Sequence, residues 1–378
     1  MIRVLHLIEE TAHDDAWITL RQIITHAPSP DTEHVIGLIG GTAKPGFEAI
    51  GASVVRWRRC GLWPLAAAVP VRRTAQGRAI DVLHAWSDGA AAAAHLAADG
   101  RQGLVITAVE PPAGNRWGRW WASCRERSGG PSPAFVLPSQ RLRRRAREAG
   151  IPAESCGVIR PAVDFRLLRD ARAPSRRSEL GIAEGVPVLL TPPSPSRAGG
   201  HYHAVWAGAI LQKLWPDLRI IVPGVSTESR RLGRFVASFG EPGLLIAPGE
   251  RFPFEALLAV ADVMLVPAIA DVPTGAIAWA MAAGVPIVGS AIPCVAEYLA
   301  DHHNALLCRA GNPTALAARV RLLLRDPSLS RRLREVAQGE AFEAFSLSRL
   351  AREYRTVYGN VAAGRDPFAA AQNSRLPA

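Results

Sequence analysis

Between Asp271 and Ser290 the chain reads DVPTGAIAWAMAAGVPIVGS. A polar loop runs into Thr274 and Gly275, and a helix of small residues follows, kept slim by Ala276, Ala278, Ala280 and Ala282. Gly284 supplies the left-handed turn that stops the helix, and VPIVGS reads as a buried strand. A helix start presents unpaired N–H groups and the positive end of the helix dipole, so Thr274 and Gly275 are placed to hold a phosphate. One large aromatic, Trp279, stands among the alanines. A second concentration of chemistry is RLRRRAR, Arg141 to Arg147, the centre of a segment with 13 arginines against 5 acids between Arg116 and Arg172. Arg141, Arg144 and Arg145 form either a solvated helix face or a contact for an anionic membrane surface or polyanionic acceptor. Nucleic acid is not an expected partner, because basic and aromatic residues interleave only in RWGRWW and no recognition motif is present.

These residues need a frame. Short β-rich apolar runs (RVLHLI, HVIGLI, SVVRW, DVLHAW, LVITAV, AFVLPS) alternate with alanine-rich helical segments, which predicts a parallel α/β sheet. A second series, VPVLLTP, LRIIVPG, GLLIAPG, DVMLVPA and VPIVGS, predicts another. Between them, DFRLLRDARAPSRRSELGIAEG is polar and proline-marked and reads as a linker. The expected organisation is a domain over 1–165, a linker over 166–185, a second domain over 186–345, a terminal helix over 346–364 and a disordered tail over 365–378. Ligands of open parallel sheets bind beyond the carboxyl ends of the strands, so the loops after VLLTP, DVMLVPA and VPIVGS should border the site.

Composition narrows the class. The chain has 378 residues, 48% of them apolar, with no uninterrupted apolar run of about 18 residues to span a bilayer. MIRVLHLIEE turns acidic too soon for a secretory signal, so a soluble cytoplasmic protein is expected, with peripheral contact at the inner membrane face as the added expectation from the arginines. Five scattered cysteines without a C-x-x-C pair suit neither a disulfide framework nor a zinc site. The net charge of +11 rests on arginine, since only Lys44 and Lys213 are lysines.

The order of motifs resembles the retaining glycosyltransferases of family 4, which have the GT-B fold. FVLPSQRLRRRAREAGIPAESCGVIRPAVDFRLL is similar to the segment that ends the family's first domain, with Val163 and Asp164 in place of its Gly-Val-Asp. ADVMLVPA, AMAAGVPIVGS, AEYLADHHNALL and GNPTALAARVRLLLRDPSLSRRL follow in the family's order, and EAFEAFSLSRLAREYRTVY looks like its terminal helix, which crosses back to the first domain. The resemblance implies two Rossmann-like domains facing across a cleft, a nucleotide-sugar donor and no metal or other cofactor.

Residue by residue, the resemblance is incomplete. The family has two glutamates eight residues apart, the first beside the donor sugar and the second accepting from the ribose of the nucleotide. Here those positions are Asp271, one methylene shorter, and Trp279, whose indole is a donor only. Trp279 therefore stacks on a sugar face or a base, or plugs the pocket. The family's diphosphate-binding Arg and Lys fall on Ser194 and Gly199, while Arg197 lies nearby to neutralise the phosphates, assisted by His201 and His203. Glu297 matches the family's acid after the next strand, or caps a helix near Pro293. On the acceptor side the family's glycine-rich loop is replaced by EETAHDDAW, which offers His13 and Asp14; its histidine is replaced by Val109, with Glu110 beside it. The resemblance implies hexose transfer from a nucleotide sugar with retention, with Asp271 orienting the donor. The alternative is a catalytically impaired protein of this fold acting as a binding or scaffold module.

Overall fold

A computed structural model of the chain describes residues 1–10, 12, 14–26, 31–40, 52–57, 65–108, 133–171, 176–238, 243–249 and 251–369. The chain divides into two compact units, Met1–Ala162 with Leu347–Ala378, and Val163–Ser346.

The first unit is built on a parallel sheet of order β3-β2-β1-β4-β5-β6-β7. Its strands are β1 (Ile2–Glu9), β2 (Thr32–Ile39), β3 (Ser53–Trp57), β4 (Val82–Ala85), β5 (Gly103–Thr107), β6 (Ala134–Leu137) and β7 (Cys156–Val158). The central strands are apolar on both faces because helices cover both. Alternate residues of β1 serve different cores: Leu5 and Leu7 pack in one cluster, Val4 and Ile8 in the other. The chain order reverses between β1 and β4, which pair directly.

The terminal helix Leu347–Ala362 belongs to this unit. Its buried residues, Leu350, Ala351, Tyr354, Val357, Tyr358 and Val361, form one stripe at helical spacing. Gly103 lets it close on the sheet, since a Cβ there would lie 2.1 Å from Val361 Cγ1. Under the stripe lie three histidines from adjacent strands. The Trp86 indole donates to His6 Nδ1 (3.2 Å), so His6 carries its proton on Nε2 and donates to His34 Nδ1 (2.9 Å). His84 is bonded to Tyr358 Oη and to Thr107 Oγ1, each at 2.8 Å, and Tyr354 Oη also reaches Thr107 (3.1 Å). His34 Nε2 is buried without an acceptor among the described residues. Burial holds all three rings neutral: His6 and His84 titrate well below 6.5, and His34 is lowered to about 4.

The second unit has a parallel sheet of order β10-β9-β8-β11-β12-β13. Its strands are β8 (Val188–Leu190), β9 (Arg219–Ile221), β10 (Leu245–Ile246), β11 (Val263–Val266), β12 (Ile287–Ser290) and β13 (Leu306–Cys308), and the order reverses between β8 and β11. Residues 166–171 and 176–185 of the segment read from sequence as a linker are folded onto this unit. Asp164 caps the helix Phe165–Asp170, and Arg177 of the helix Arg176–Glu179 bonds the Val186 and Val260 carbonyls and both oxygens of Asp262. A fixed guanidinium so completely used ties polar sequence to a core edge. The expected tail also starts ordered: Phe368 is buried against Gly157, while residues 370–378 lie outside the described set.

A depressed histidine costs stability only where the unfolded chain binds the proton first. The first unit should therefore be fully stable above pH 6.5 and lose stability as pH falls toward 4, by roughly 3 kcal/mol from His34 alone. Thermal melting from pH 7.5 to 4.5, with hydrogen exchange in the Leu347–Ala362 helix, checks this; a melting temperature that stays flat would refute it.

Candidate functional site

In the second unit the loops that leave β8 and β11 sit side by side at the reversal of strand order, the position where open sheets bind ligands. The β8 loop, Thr191–Gly200, is bonded to the β11 loop through Ile269 N–H to the Ala198 carbonyl (2.8 Å). The β12 loop joins them through Cys294 Sγ on the Ala270 carbonyl (3.9 Å). Gly200 is required at this junction. Its φ is +70°, and a Cβ would lie 1.8 Å from the Pro267 oxygen. Ser194 also holds a left-handed φ of 61°, an uncommon and strained conformation for a residue with a side chain.

His201 organises the β8 loop from inside. It is buried; Nε2 lies 3.0 Å from the Pro192 carbonyl, and the Ser196 N–H lies 3.2 Å from Nδ1. This suits a neutral ring with its proton on Nε2, and burial lowers its pKa accordingly. The same ring explains the missing cation. A Cβ at Gly199, the position of the expected lysine, would lie 2.7 Å from His201 Cε1. His201 is bonded within the loop through both ring nitrogens.

Arg197 is the cation that remains on this loop. It is exposed, with its guanidinium 5.8 Å from the Tyr202 ring centroid. Tyr202 in turn donates to Glu228 (2.9 Å), which Arg231 also holds (2.6 Å). Tyr202 is thus pinned in place beneath a guanidinium whose N–H groups make no hydrogen bond among the described residues.

The β11 loop carries Asp271, half-buried, and ends at the helix Gly275–Ala283. Thr274 is buried at the N-cap but makes no side-chain cap bond, so the first amides of the helix are not covered by its hydroxyl. The helix ends at Gly284 in the left-handed conformation, as its sequence predicts. Every residue from Gly275 to Ala282 is buried, and Trp279 is 7% exposed. The helix packs on the helix Pro327–Ala344, whose Gln338 donates to the Ala282 carbonyl (3.0 Å). Glu297 follows the short helix Pro293–Ala296 at its C-cap, half-buried, on the loop after β12. Arg197, Asp271, Thr274, Gly275 and Glu297 thus share the carboxyl edge of one sheet, while Trp279 lies one turn into the helix below it.

Fewer of the first-unit expectations are open to view. His13, Val109 and Glu110 lie outside the described residues, and Asp14 opens the helix Asp14–His26. Sequence reasoning missed Glu9. It ends β1 almost fully buried and accepts from the hydroxyl of Ser87, which itself caps the helix Asp88–Ala97. Its signal was a carboxylate directly after the apolar pair Leu7 and Ile8 at the end of β1. Arg144 and Arg145 are exposed and Arg141 half-buried on the helix Gln140–Glu148, whose Leu142 and Ala146 face the core. Among the described residues no group of His, Cys, Asp or Glu is arranged to hold a metal ion, and no helix is long and apolar enough to cross a membrane.

Replacing His201 by Ala leaves the Pro192 carbonyl and the Ser196 N–H unpaired, an expected cost of about 1–3 kcal/mol. Gly200→Ala should cost more, since it adds a clash with the Pro267 carbonyl to backbone strain. Urea unfolding measures both; a Gly200→Ala protein as stable as the parent would sink this account of the loop junction.

Comparison with known proteins agrees with this geometry. The model for Glycosyltransferase Family 4 matches residues 21–167, and that for Glycosyl transferases group 1 matches residues 174–340. The chain is 26% identical over 145 residues to N-acetyl-alpha-D-glucosaminyl L-malate synthase of Bacillus anthracis; the match spans 38% of this chain and 38% of that protein's length. A glycosyltransferase from Rickettsia africae has a similar structure, with a TM-score of 0.80 at 16% identity over 95% of this chain and 98% of that one. Anabaena HepE in complex with UDP-glucose gives a TM-score of 0.80 at 20% identity over 94% and 98%. Consecutive family matches over both sheets, and solved structures alike over nearly the whole chain, agree with the motif order: this protein belongs to glycosyltransferase family 4 and has its GT-B fold.

Proposed function

We propose that the chain transfers a hexose from a nucleotide sugar to an acceptor hydroxyl with retention of configuration. The observation that carries this is the carboxyl edge of the second sheet: an exposed guanidinium, Arg197, whose N–H groups make no hydrogen bond among the described residues, on a loop bonded to the one that ends in a helix start whose N-cap, Thr274, makes no side-chain cap bond. In this reading the amides at Gly275 and Ala276 hold phosphate oxygens, Arg197 offsets the diphosphate charge, and Asp271 orients the sugar. The bond from the anomeric carbon to the leaving diphosphate breaks as the acceptor oxygen adds on the same face, and the acceptor's hydroxyl proton passes to the departing diphosphate oxygen. Charge develops on the diphosphate, so stabilising it there is the main lever on rate. Glu297 is assigned to the donor side with Asp271. His13, Asp14 and Glu110 are assigned to the acceptor side. HepE has been solved with UDP-glucose, which supports a nucleotide sugar as the donor class.

Trp279 and His201 favour a second reading, a binding module that keeps the fold. The indole occupies the position of the ribose carboxylate, and the imidazole fills the space of the lysine. A thermal-shift screen with UDP, GDP, ADP and their glucose conjugates separates the two. A donor at about 100 times its Kd stabilises by about 2.7 kcal/mol, and Arg197→Gln should erase that shift. No shift with any of them leaves the binding-module reading. Trp279→Ala should cost about 3–5 kcal/mol of stability if the indole fills a dead pocket. If the indole instead stacks on the ligand, the change weakens nucleotide binding by roughly 1–3 kcal/mol.

We also propose that Arg141, Arg144 and Arg145 rest on an anionic membrane face or a polyanionic acceptor. Co-sedimentation with phosphatidylglycerol vesicles should be strong at low salt and fade as salt rises; salt-independent or absent binding would leave these arginines as solvated surface.

A further inference from the structure

The second unit has a cavity of about 860 Å³ that the site above does not use. Each strand it touches is touched at its beginning. Pro187 precedes β8, Asp262 precedes β11 and Pro286 precedes β12, so the cavity opens at the amino edge of the sheet, opposite the Thr191–Gly200 loop. Its volume is within the range of small-ligand sites.

The charges in its wall are unevenly committed. Arg177 is spent on Asp262 and two backbone carbonyls, so that pair builds wall and offers little to a ligand. Arg331 and Arg334 differ. They stand three residues apart on the helix Pro327–Ala344, hence on one face, and neither makes a hydrogen bond or ion pair among the described residues. Arg331 and Arg334 are exposed, and like Arg197 they have no acid partner among the described residues, whereas Arg231 pairs with Glu228 and Arg319 with Asp301. Two unpaired guanidiniums at this spacing repel each other, and an anion between them removes the repulsion while accepting their forked N–H groups. Ser330 adds a hydroxyl beside them. Trp215, with Arg325 over its ring at 5.9 Å, supplies an aromatic surface in the same cavity, and Glu184, with no ion pair among the described residues, supplies an acceptor for hydroxyl groups.

We propose that this cavity binds a phosphorylated sugar, its phosphate between Arg331 and Arg334 and its ring against Trp215. This is a second ligand site on the unit, separate from the donor-side loops and independent of the function proposed for them.

Isothermal titration of the full chain with glucose 6-phosphate and with inorganic phosphate tests it, using Arg331→Gln/Arg334→Gln, Trp215→Leu and Arg197→Gln. Far-ultraviolet circular dichroism confirms that each variant is folded. The sugar phosphate should bind one to one, at least tenfold more weakly in the double-arginine variant and within twofold of the parent in Arg197→Gln. Trp215→Leu should weaken the sugar phosphate while leaving inorganic phosphate unchanged. Binding that depends on Arg197 and ignores Arg331 and Arg334 would place the anion at the donor loops and overturn the proposal. So would inorganic phosphate binding as tightly as the ester, or no binding of either.

Discussion

The approach of Gly200 to the Pro267 carbonyl sets the geometry of the donor-side edge. Only a residue without a side chain, in a left-handed conformation, lets the β8 loop lie against the β11 loop there. That contact lets Ala198 accept from Ile269 and brings Arg197 onto the same edge as Asp271 and the helix start at Gly275. A glycosyltransferase has no covalent chemistry to perform on a leaving diphosphate; it needs charge and dipoles at fixed positions. In the proposed function two packed backbone segments provide those positions, and His201 holds one of them from within through the Pro192 carbonyl and the Ser196 N–H.

This arrangement gives the family departures a physical sense. Gly199 is not merely an absent lysine. A side chain starting there would lie 2.7 Å from His201 Cε1, so the ring would have to move to admit one. In the function proposed above the positive charge falls to Arg197, whose guanidinium lies 5.8 Å from the Tyr202 ring centroid. Trp279 is buried in a helix whose other buried side chains are mostly alanine, so a large ring fills volume that small neighbours leave open.

The first unit rests on a different constraint. Three histidines on neighbouring strands survive in its core because each is neutral and bonded: His6 to His34 and Trp86, and His84 to Thr107 and to Tyr358 of a helix far along the chain. Tyr354 and Tyr358 serve both ends of the terminal helix's task, since their rings pack and their hydroxyls satisfy buried polar atoms. Holding the terminal helix is thus a polar task as much as an apolar one.

The sequence alone determined the two parallel sheets, the slim helix after Thr274, its stop at Gly284 and the terminal helix, because each rests on local periodicity or on a glycine whose freedom is needed where it stands. The motif order carried the family as well. What only the tertiary structure decided were contacts between segments distant in sequence. The His6, His34 and His84 cluster needs strand register and a helix some 270 residues on. Arg177 turns an apparent linker into part of a core because Asp262, 85 residues away, receives it. Glu9 became visible only when Ser87, on the neighbouring strand's loop, was found bonded to it. The crowding of a side chain at Gly199 by His201, two residues on, depends on a loop conformation that no periodicity encodes. Local patterns report which face of an element is buried; they do not report which polar atom it meets there, and here that meeting shapes the site.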